Sequence, residues 1–341
     1  MVLALTSILA SLLLFEIGLR AYAGLIYPKM MIFDPLLGWR HSPNVRRAFV
    51  NEFGEKVWVV QNSYGHRGPL RTREHTPETF RIVALGDSFT EGVQVDESDL
   101  FTAQLERTDS RFQVLNAGVG GYGTVQEYLY LASEGLKFEP NVVLLMFYEN
   151  DLTDNALTYY PGFGPRPYAT FQHSNFVIVE TLNASDYEKF IIPVPFRMVL
   201  NNHSFLYYFV NSRIYQPLLS RRMKQLEQAD LHKTEVSTRY EIFYRVLDKM
   251  YGLVKDHGIG LVVVLIPTAE QVARGYSEAA TVIRQYCDAH GMHCLSLLES
   301  FRHHPASGDP LYFPIDIHWT KEGHKVAAEE IRNYLSSLEP E

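Results

Sequence analysis

Residues 80–92, FRIVALGDSFTEG, are the stretch that most constrains the fold of this chain. The apolar run 82–85 is typical of a buried parallel strand, and Gly86 after it permits a tight turn. Ser88 then lies at the carboxyl end of the predicted strand, where open α/β sheets bind their ligands. A hydroxyl at that position can act as a nucleophile if a base reaches it. The same pattern also fits an ordinary strand-to-helix turn in which Ser88 is only a helix cap.

Short apolar runs alternate with helical segments through the rest of the chain. The predicted strands are 82–85, 113–116, 142–147, 261–266 and 294–298, and the predicted helices are 101–107, 126–136, 238–257, 269–289 and 321–338. This alternation predicts a three-layer α/β/α sandwich with a parallel sheet. We expect the domain to span residues 80–341, with an inserted cap at about 152–233. An N-terminal extension, residues 28–79, precedes it, and there only 58–60 is a clear strand run.

The insertion contains an aromatic group of residues in its second half. Its members are Tyr207, Tyr208, Phe209 and Tyr215. They can face a membrane, a substrate or the protein itself, and we favour a packed face.

The charge and the cysteine content exclude several function classes. A formal net charge of −8 and a pI near 5.9 leave no basic excess, so we expect no nucleic-acid partner. Two cysteines cannot form a disulfide-rich scaffold or a four-cysteine zinc site, and we expect neither a metal nor a cofactor. Cys287 and Cys294 flank a predicted helix-to-strand turn, and they can pair if the domain is exported to an oxidising compartment.

Residues 2–27 are mostly apolar and are interrupted by Glu16 and Arg20. The whole stretch is long enough for a tilted membrane helix, whereas the part before Glu16 has the length of a signal peptide. Residues 21–23, AYA, offer a weak cleavage site, but no Lys or Arg precedes the apolar run. We predict that residues 1–27 are an uncleaved membrane anchor and that the domain is periplasmic or extracellular. A removed signal and a buried helix of a soluble protein are the alternatives.

Three further stretches are predicted to lie at the same edge of the sheet as Ser88. The glycines of residues 116–123, NAGVGGYG, let backbone N–H groups approach a ligand closely. Asn150 follows the third strand and can donate its amide to a developing oxyanion. Asp316 and His318 are two apart in an extended segment, so they face the same way and the carboxylate can orient the imidazole. Each stretch alone also fits a turn or a surface residue.

Together the four stretches resemble the SGNH (GDSL-type) hydrolase superfamily. Residues 86–88 match its serine block and 116–121 its glycine block, with Gly121 at the oxyanion-hole position. Residues 150–151 match its Asn block, and His318 matches its histidine block. The resemblance covers roughly residue 80 to the C-terminus without the insertion. It implies a flavodoxin-like sheet and a serine mechanism of the esterase or acyltransferase type.

The sequence departs from the family pattern at two positions. Tyr148 stands where the family usually has a glycine two residues before the Asn. Asp316 lies two residues before His318, where the family usually has a spacing of three. Because of the second departure, the sequence alone does not establish that Asp316 is the acid that orients His318.

The resemblance implies a role for each matched residue. His318 takes the proton of Ser88 as the hydroxyl attacks an ester carbonyl, and Asp316 orients His318. The N–H groups of Ser88 and Gly121 and the side chain of Asn150 hold the oxyanion. Water or a sugar hydroxyl then resolves the acyl-enzyme.

The resemblance also indicates a substrate class. Residues 316–319, DIHW, with Thr320 and Gly323, are similar to membrane-associated members that O-acetylate bacterial exopolysaccharides, and residues 37–40 and 62–68 resemble anchored bacterial members. We expect an O-acyl ester, chiefly an O-acetyl ester, of a glycan or small molecule. A hydrolase is favoured, an O-acyltransferase shares every catalytic residue, and a non-catalytic envelope scaffold is the third alternative. The oligomeric state is not indicated.

Overall fold

The computed structural model describes residues 2–25, 28–74, 78–160, 163–180, 199–200, 202–211, 213, 235–305 and 309–338. The strands are β1 (Met31–Asp34), β2 (Gly38–His41), β3 (Val45–Val50), β4 (Lys56–Gln61), β5 (Phe80–Gly86), β6 (Phe112–Asn116), β7 (Val142–Phe147), β8 (Tyr159–Tyr160), β9 (Gly164–Pro165), β10 (Tyr168–Gln172), β11 (Asn175–Val179), β12 (Gly260–Leu265) and β13 (His293–Ser296). The helices are α1 (Val2–Leu25), α2 (Ser88–Glu91), α3 (Phe101–Thr108), α4 (Thr124–Ser133), α5 (Asp151–Asp154), α6 (Phe205–Val210), α7 (Val236–Asp256), α8 (Ala269–Arg274), α9 (Glu278–His290), α10 (Leu298–Arg302) and α11 (Lys321–Leu338).

The central sheet has five parallel strands in the order β6-β5-β7-β12-β13. Numbered within the sheet alone, this is the flavodoxin-like order 2-1-3-4-5. The strand order reverses between β5 and β7, which is where such folds open a ligand crevice at the carboxyl ends. Ser88 follows β5 and Asn150 follows β7, so the crevice lies between two of the predicted site residues.

Alternate side chains of each strand enter two separate cores. Ile82 and Ala84 pack on the face covered by α3, α10 and α11. Val83 and Leu85 pack on the opposite face, which α4, α7 and α9 cover. Because both faces of the sheet are buried, the strands read as continuous apolar runs, as parallel strands do. The three-layer α/β/α prediction is confirmed.

The sequence-based boundaries hold for some elements and fail for others. The predicted helix at 269–289 is wrong, because it is divided into α8 and α9. Gly275 ends α8 with φ of 68°, a left-handed conformation that glycine adopts at low cost. The hydroxyl of Ser277 then caps α9 by accepting a hydrogen bond from the N–H of Ala280 at 3.1 Å.

The N-terminal extension has more strands than its single clear run indicates. It contains two antiparallel hairpins, β1–β2 and β3–β4. β4 contains the clear run 58–60, whereas Arg46 and Arg47 interrupt the apolar residues of its partner β3, none of which is buried. The domain boundaries at 28, 80 and 152–233 stay predictions.

The insertion begins with the hairpins β8–β9 and β10–β11, and the second of these packs beside α4 and α7. β11 contains the apolar run 176–179. Of the aromatic group, Tyr207, Tyr208 and Phe209 lie on α6, and Tyr215 lies outside the described residues. Within α1, residues Val2–Tyr22 have a mean hydropathy of 2.2, and by length and composition they can cross a membrane or serve as a signal sequence.

Candidate active site

Ser88 is the first residue of α2, directly after the tight turn that ends β5. The N-cap of this helix is Asp87, whose Oδ1 accepts the N–H of Phe89 at 2.9 Å. A carboxylate therefore performs the capping that a serine can perform. The hydroxyl of Ser88 is left available for another partner.

That partner is His318. The Nε2 atom of His318 lies 2.7 Å from Oγ of Ser88, and its Nδ1 atom is hydrogen-bonded to Oδ1 of Asp316. A carboxylate at Nδ1 fixes the tautomer in which Nε2 can accept the serine proton. The structure thus brings Ser88, Asp316 and His318 into one line, despite the two-residue spacing of the acid and the imidazole.

Two side chains from elsewhere in the chain hold Asp316. Gln94 donates its Nε2–H to Oδ2 of Asp316 at 3.2 Å, and Glu52 accepts the backbone N–H of Asp316 at 2.8 Å. Partial burial by itself raises the pKa of Asp316, but the hydrogen bonds from His318 and Gln94 outweigh it and lower the pKa. The carboxyl is therefore ionised at neutral pH, as an orienting acid must be.

Aromatic packing in the core fixes the segment that carries His318. Trp319 is buried and packs edge-on against Phe89, with ring centroids 5.4 Å apart. The Phe89 ring also lies 4.8 Å from the imidazole of His318. Because Phe89 directly follows Ser88, one buried side chain supports both the nucleophile and the base.

The glycine block forms a tight turn beside Ser88. Tyr122 donates its N–H to the carbonyl of Val119 at 3.0 Å, and Gly121 has φ of 77°. A Cβ on Gly121 would meet the ring of Tyr160 at 2.9 Å, so the position excludes a side chain. In the described part of the chain, no group accepts the N–H of Ser88 or that of Gly121. These two donors are available for an oxyanion.

The side-chain amide of Asn150 already has hydrogen-bond partners, unlike the backbone N–H groups of Ser88 and Gly121. Its Nδ2 donates to Oδ2 of Asp87 and to Oδ2 of Asp154, each at 3.1 Å. Both hydrogens of the amide are engaged in this structure, and they tie the cap of α2 to α5. Donation to an oxyanion would require the amide to give up one of these carboxylates.

Glu91 and His41 were not singled out by the sequence. Oε2 of Glu91 accepts the N–H of Gly120 at 2.8 Å, and its Oε1 lies 2.9 Å from Nε2 of His41. Burial raises the pKa of Glu91, but His41, the Gly120 N–H and Arg67 together lower it. The buried carboxylate joins α2, which carries Ser88, to the glycine turn. His41 is 50 residues from Glu91, so no local pattern predicts the pair.

The extension also holds the other side of the glycine turn. Trp39 donates its indole N–H to the carbonyl of Gly120 at 3.0 Å, and Tyr122 donates its hydroxyl to the carbonyl of Trp39 at 2.6 Å. The buried guanidinium of Arg67 donates to the carbonyls of Glu91 and Gly92. Trp39, His41 and Arg67 of the extension are therefore part of the scaffold of the candidate active site.

Four buried carboxyls lie close together at the N-terminus of α2: Asp87, Glu127, Asp151 and Asp154. Burial raises the pKa of Asp87, Glu127 and Asp151, and each of these carboxyls also feels the negative charge of its neighbours. Within the described ranges, no group of three or more His, Cys, Asp or Glu residues is arranged to hold a metal ion.

A cleft of about 600 Å³ opens beside Asn150 among the described residues. Three tyrosine rings from separate parts of the chain line it, together with two arginines: Tyr148, Tyr240, Tyr276, Arg239 and Arg274. The cleft adjoins the carboxyl end of β7, and Asn150 is among its lining residues, whereas Ser88 and His318 are not.

A family model described as the GDSL-like Lipase/Acylhydrolase family matches residues 84–326. The match includes Ser88, Gly121, Asn150, Asp316 and His318. None of the curated proteins is similar enough in sequence to match this chain.

Several solved structures have similar folds. The lipase/acylhydrolase from Enterococcus faecalis is 14% identical, and the match covers 77% of this chain and 99% of that chain with a TM-score of 0.42. A GDSL-like lipase from Bacteroides thetaiotaomicron is 13% identical over 79% and 93%, with a TM-score of 0.40. An acetyl xylan esterase from Geobacillus stearothermophilus is 11% identical over 77% and 97%, with a TM-score of 0.42.

Proposed function

The chain belongs to the GDSL-like lipase/acylhydrolase family, and from that premise we propose that it is a membrane-anchored serine esterase that removes O-acetyl groups from a glycan outside the cytoplasm. The observation that carries the proposal is the 2.7 Å hydrogen bond between Ser88 and His318, with Asp316 on the far side of the imidazole. This arrangement supplies a nucleophile, a base and an orienting acid in hydrogen-bonding contact.

In the proposed mechanism, Oγ of Ser88 attacks the ester carbonyl carbon while Nε2 of His318 takes the hydroxyl proton. The new O–C bond converts the carbonyl oxygen into an oxyanion, which the free N–H groups of Ser88 and Gly121 stabilise. Collapse of this intermediate breaks the bond to the alcohol, and His318 returns the proton to the leaving oxygen. Asp316 stabilises the imidazolium throughout.

Deacylation repeats these steps with water. His318 removes a proton from the water as its oxygen attacks the acyl-enzyme, and the proton then passes to Oγ of Ser88 as acetate leaves. If the hydroxyl of a second sugar takes the place of water, the same residues transfer the acyl group. The cleft beside Asn150 supports this second candidate, an O-acyltransferase, because it offers room for an acceptor.

The glycan part of the proposal has separate support. The cleft presents the rings of Tyr148, Tyr240 and Tyr276, and aromatic faces provide apolar contact with a polar edge. The anchor part is supported by the apolar length of α1. A chain held at a membrane surface would meet envelope glycans rather than soluble cytoplasmic esters.

A phosphonate probe and acetyl-ester surrogates test the proposal on purified full-length protein. We expect wild-type protein to take one label and to release acetate from p-nitrophenyl acetate, and Ser88→Ala to do neither. Ser133→Ala is the matched control, because its hydroxyl bonds only to carbonyls of its own helix. Tight glycan binding without label or turnover would instead establish the scaffold alternative. Acyl release that requires a saccharide acceptor would establish the transferase.

A further inference from the structure

A carboxylate is built into the apolar helix α1, and it has a defined set of partners. Oε2 of Glu16 accepts the N–H of Leu206 at 2.8 Å and the hydroxyl of Ser204 at 3.0 Å. Oε1 accepts the N–H of Phe205 at 2.9 Å and the Nε–H of Arg20 at 2.8 Å. Glu16 therefore accepts two of the N–H groups that the first turn of α6 leaves without an intrahelical partner, and the hydroxyl of the N-cap residue Ser204 accepts a third, from Tyr207 at 3.1 Å.

Further contacts tie the same segment to the beginning of the extension. Asn202 accepts the N–H of Phe33 at 2.9 Å and donates to the Phe33 carbonyl at 3.2 Å. The ammonium of Lys29 lies 4.4 Å from the ring centroid of Phe205 and 4.7 Å from that of Tyr208. Contacts with α1 and with the beginning of the extension thus fix the position of α6.

The composition of α6 is unusual for a segment at a protein surface. Its six residues are FLYYFV, and none of them is buried. Phe209 and Val210 are 43% and 42% exposed, although both are large and apolar. Tyrosine and other aromatic rings are enriched where a membrane meets water, since one end of tyrosine is apolar and the other is wet.

The length of α1 places Glu16 near the same boundary. From Glu16 to the end of α1 at Leu25 the helix rises about 14 Å. Each interfacial layer is about 5–8 Å thick outside a hydrocarbon core of about 30 Å. With Leu25 at the outer edge of this layer, Glu16 would lie about 6–9 Å inside the hydrocarbon, where an unpaired carboxylate or an unsatisfied N–H is costly. The capping of α6 by Glu16 resolves both costs at once.

We propose that α6 lies beside α1 at the boundary between the hydrocarbon and the interfacial layer of a phospholipid bilayer, with Glu16 accepting its first two N–H groups and with Phe209 and Val210 in contact with lipid. The proposal rests on the membrane anchor of the proposed function. It implies that α1 is retained, because removal of residues 1–23 would take away Glu16. It also implies that the domain is held at the bilayer by two elements and cannot turn freely on one helix.

Site-directed spin labelling tests the placement of α6. Single cysteines replace Phe209, Leu9 in the middle of α1, and Asp256 at the end of α7, in full-length protein with Cys287 and Cys294 changed to alanine. The proteins are reconstituted in vesicles of phosphatidylcholine and phosphatidylglycerol, and collisions with oxygen and with a water-soluble nickel chelate are compared. We expect Leu9→Cys and Phe209→Cys to favour oxygen severalfold over Asp256→Cys.

Each other outcome overturns the proposal in a recognisable way. A lipid-exposed label at position 9 with a water-exposed label at position 209 leaves the anchor in place and removes α6 from the membrane. A label at 209 that neither reagent reaches means that protein covers α6. A water-exposed label at position 9 refutes the anchor itself. Phosphonate labelling of Ser88 in the same samples reports the esterase proposal independently.

Hydrogen exchange tests the cap separately, without depending on a cysteine variant. Glu16→Ala should speed exchange of the Phe205 and Leu206 amides by about five- to thirtyfold, since a helix cap contributes about 1–2 kcal/mol, and Glu16→Gln, which keeps an acceptor oxygen, should restore part of the protection. Ser11→Ala is the matched control within α1, because its hydroxyl bonds only to the Ser7 carbonyl. Unchanged exchange at Phe205 and Leu206 in Glu16→Ala would show that Glu16 does not hold α6.

Discussion

Asp316 determines which nitrogen of His318 faces Ser88, and it can be changed without altering its size. We predict that Asp316→Asn lowers turnover of p-nitrophenyl acetate by about 10²–10⁴-fold, because the imidazolium loses its stabilising charge and the tautomer is no longer fixed. The measurement is kcat by steady-state kinetics, alongside circular dichroism to establish that the fold is intact.

Asp309→Asn is the matched control, because Asp309 is an exposed acid a few residues before the same segment. It should leave turnover unchanged. If Asp309→Asn is the damaging substitution and Asp316→Asn is not, His318 takes its orientation from a different acid in solution.

We expect Glu91 to affect the reaction indirectly, because its carboxylate holds the glycine turn in place. Since its carboxylate accepts the Gly120 N–H, loss of that bond should displace the neighbouring Gly121 donor. We predict that Glu91→Ala lowers kcat by about 10–10³-fold with little change in KM, up to the cost of losing one oxyanion donor. Glu91→Gln, which keeps an acceptor oxygen, should restore part of the loss.

Glu97→Gln is the control for this prediction, because it removes another negative charge near Arg67. Equal losses in Glu97→Gln and Glu91→Ala would mean that only the charge around Arg67 matters. A raised KM with an unchanged kcat would place Glu91 in substrate binding.

The sequence could indicate only part of this site. Ser88, Asn150 and His318 are predictable because a strand end or an extended segment fixes each one locally. The pairing of Glu91 with His41, and of Asn150 with Asp87 and Asp154, depends on which loops meet in space. Nothing in the local pattern of residues 41 or 154 distinguishes them from other polar loop residues.

At the scale of elements, α4 and α5 bring Glu127 and Asp151 against the cap of α2. Burial raises the pKa of both carboxyls well above the usual range. Between the unfolded pKa, about 4.3 for Glu, and the raised folded pKa, the folded protein binds more protons than the unfolded chain. The free energy of unfolding therefore falls as the pH rises through this window.

We predict that Glu127→Gln flattens this pH dependence, because glutamine has no proton to lose. The variant should gain stability relative to wild type at pH 8 and little at pH 5, with about 1.4 kcal/mol for each unit by which the pKa is raised. Urea unfolding at the two pH values measures this. Glu329→Gln, an exposed position on α11, should give no such difference. Equal stabilisation at both pH values would show that Glu127 does not titrate in this window.

The elements themselves were predictable where one rule dominates. β7 and α11 begin and end at the expected residues, because the first is a continuous apolar run and the second is long and amphipathic. The break between α8 and α9 was missed because the apolar period continues across Gly275. β1 to β3 were missed because short hairpins with one exposed face show too few alternations to stand out from loops.

At the scale of the whole molecule, the compartment of the domain determines both its substrate and the state of its cysteines. Cys287 and Cys294 are free thiols in the structure, and a hydrogen bond between them raises the pKa of Cys287 and lowers that of Cys294. Cys294 is the more acidic of the two thiols, so its thiolate is the one that attacks an oxidising disulfide when one is present. The adjacent thiol of Cys287 can then close the bond between the two cysteines. The pair is thus a second reporter of the compartment.

We predict that protease added to intact spheroplasts digests the domain and leaves α1 in the membrane, because in the proposed function α1 anchors the domain outside the cytoplasm. Thiol counting under denaturing conditions without reductant should find no free thiol in protein from that compartment. The effect of the bond on stability should be modest, since the loop that it closes is short. A cytoplasmic marker must stay protected while a periplasmic one is degraded. Full protection of the domain together with two free thiols would place it in the cytoplasm, and an envelope glycan would then be out of reach of Ser88.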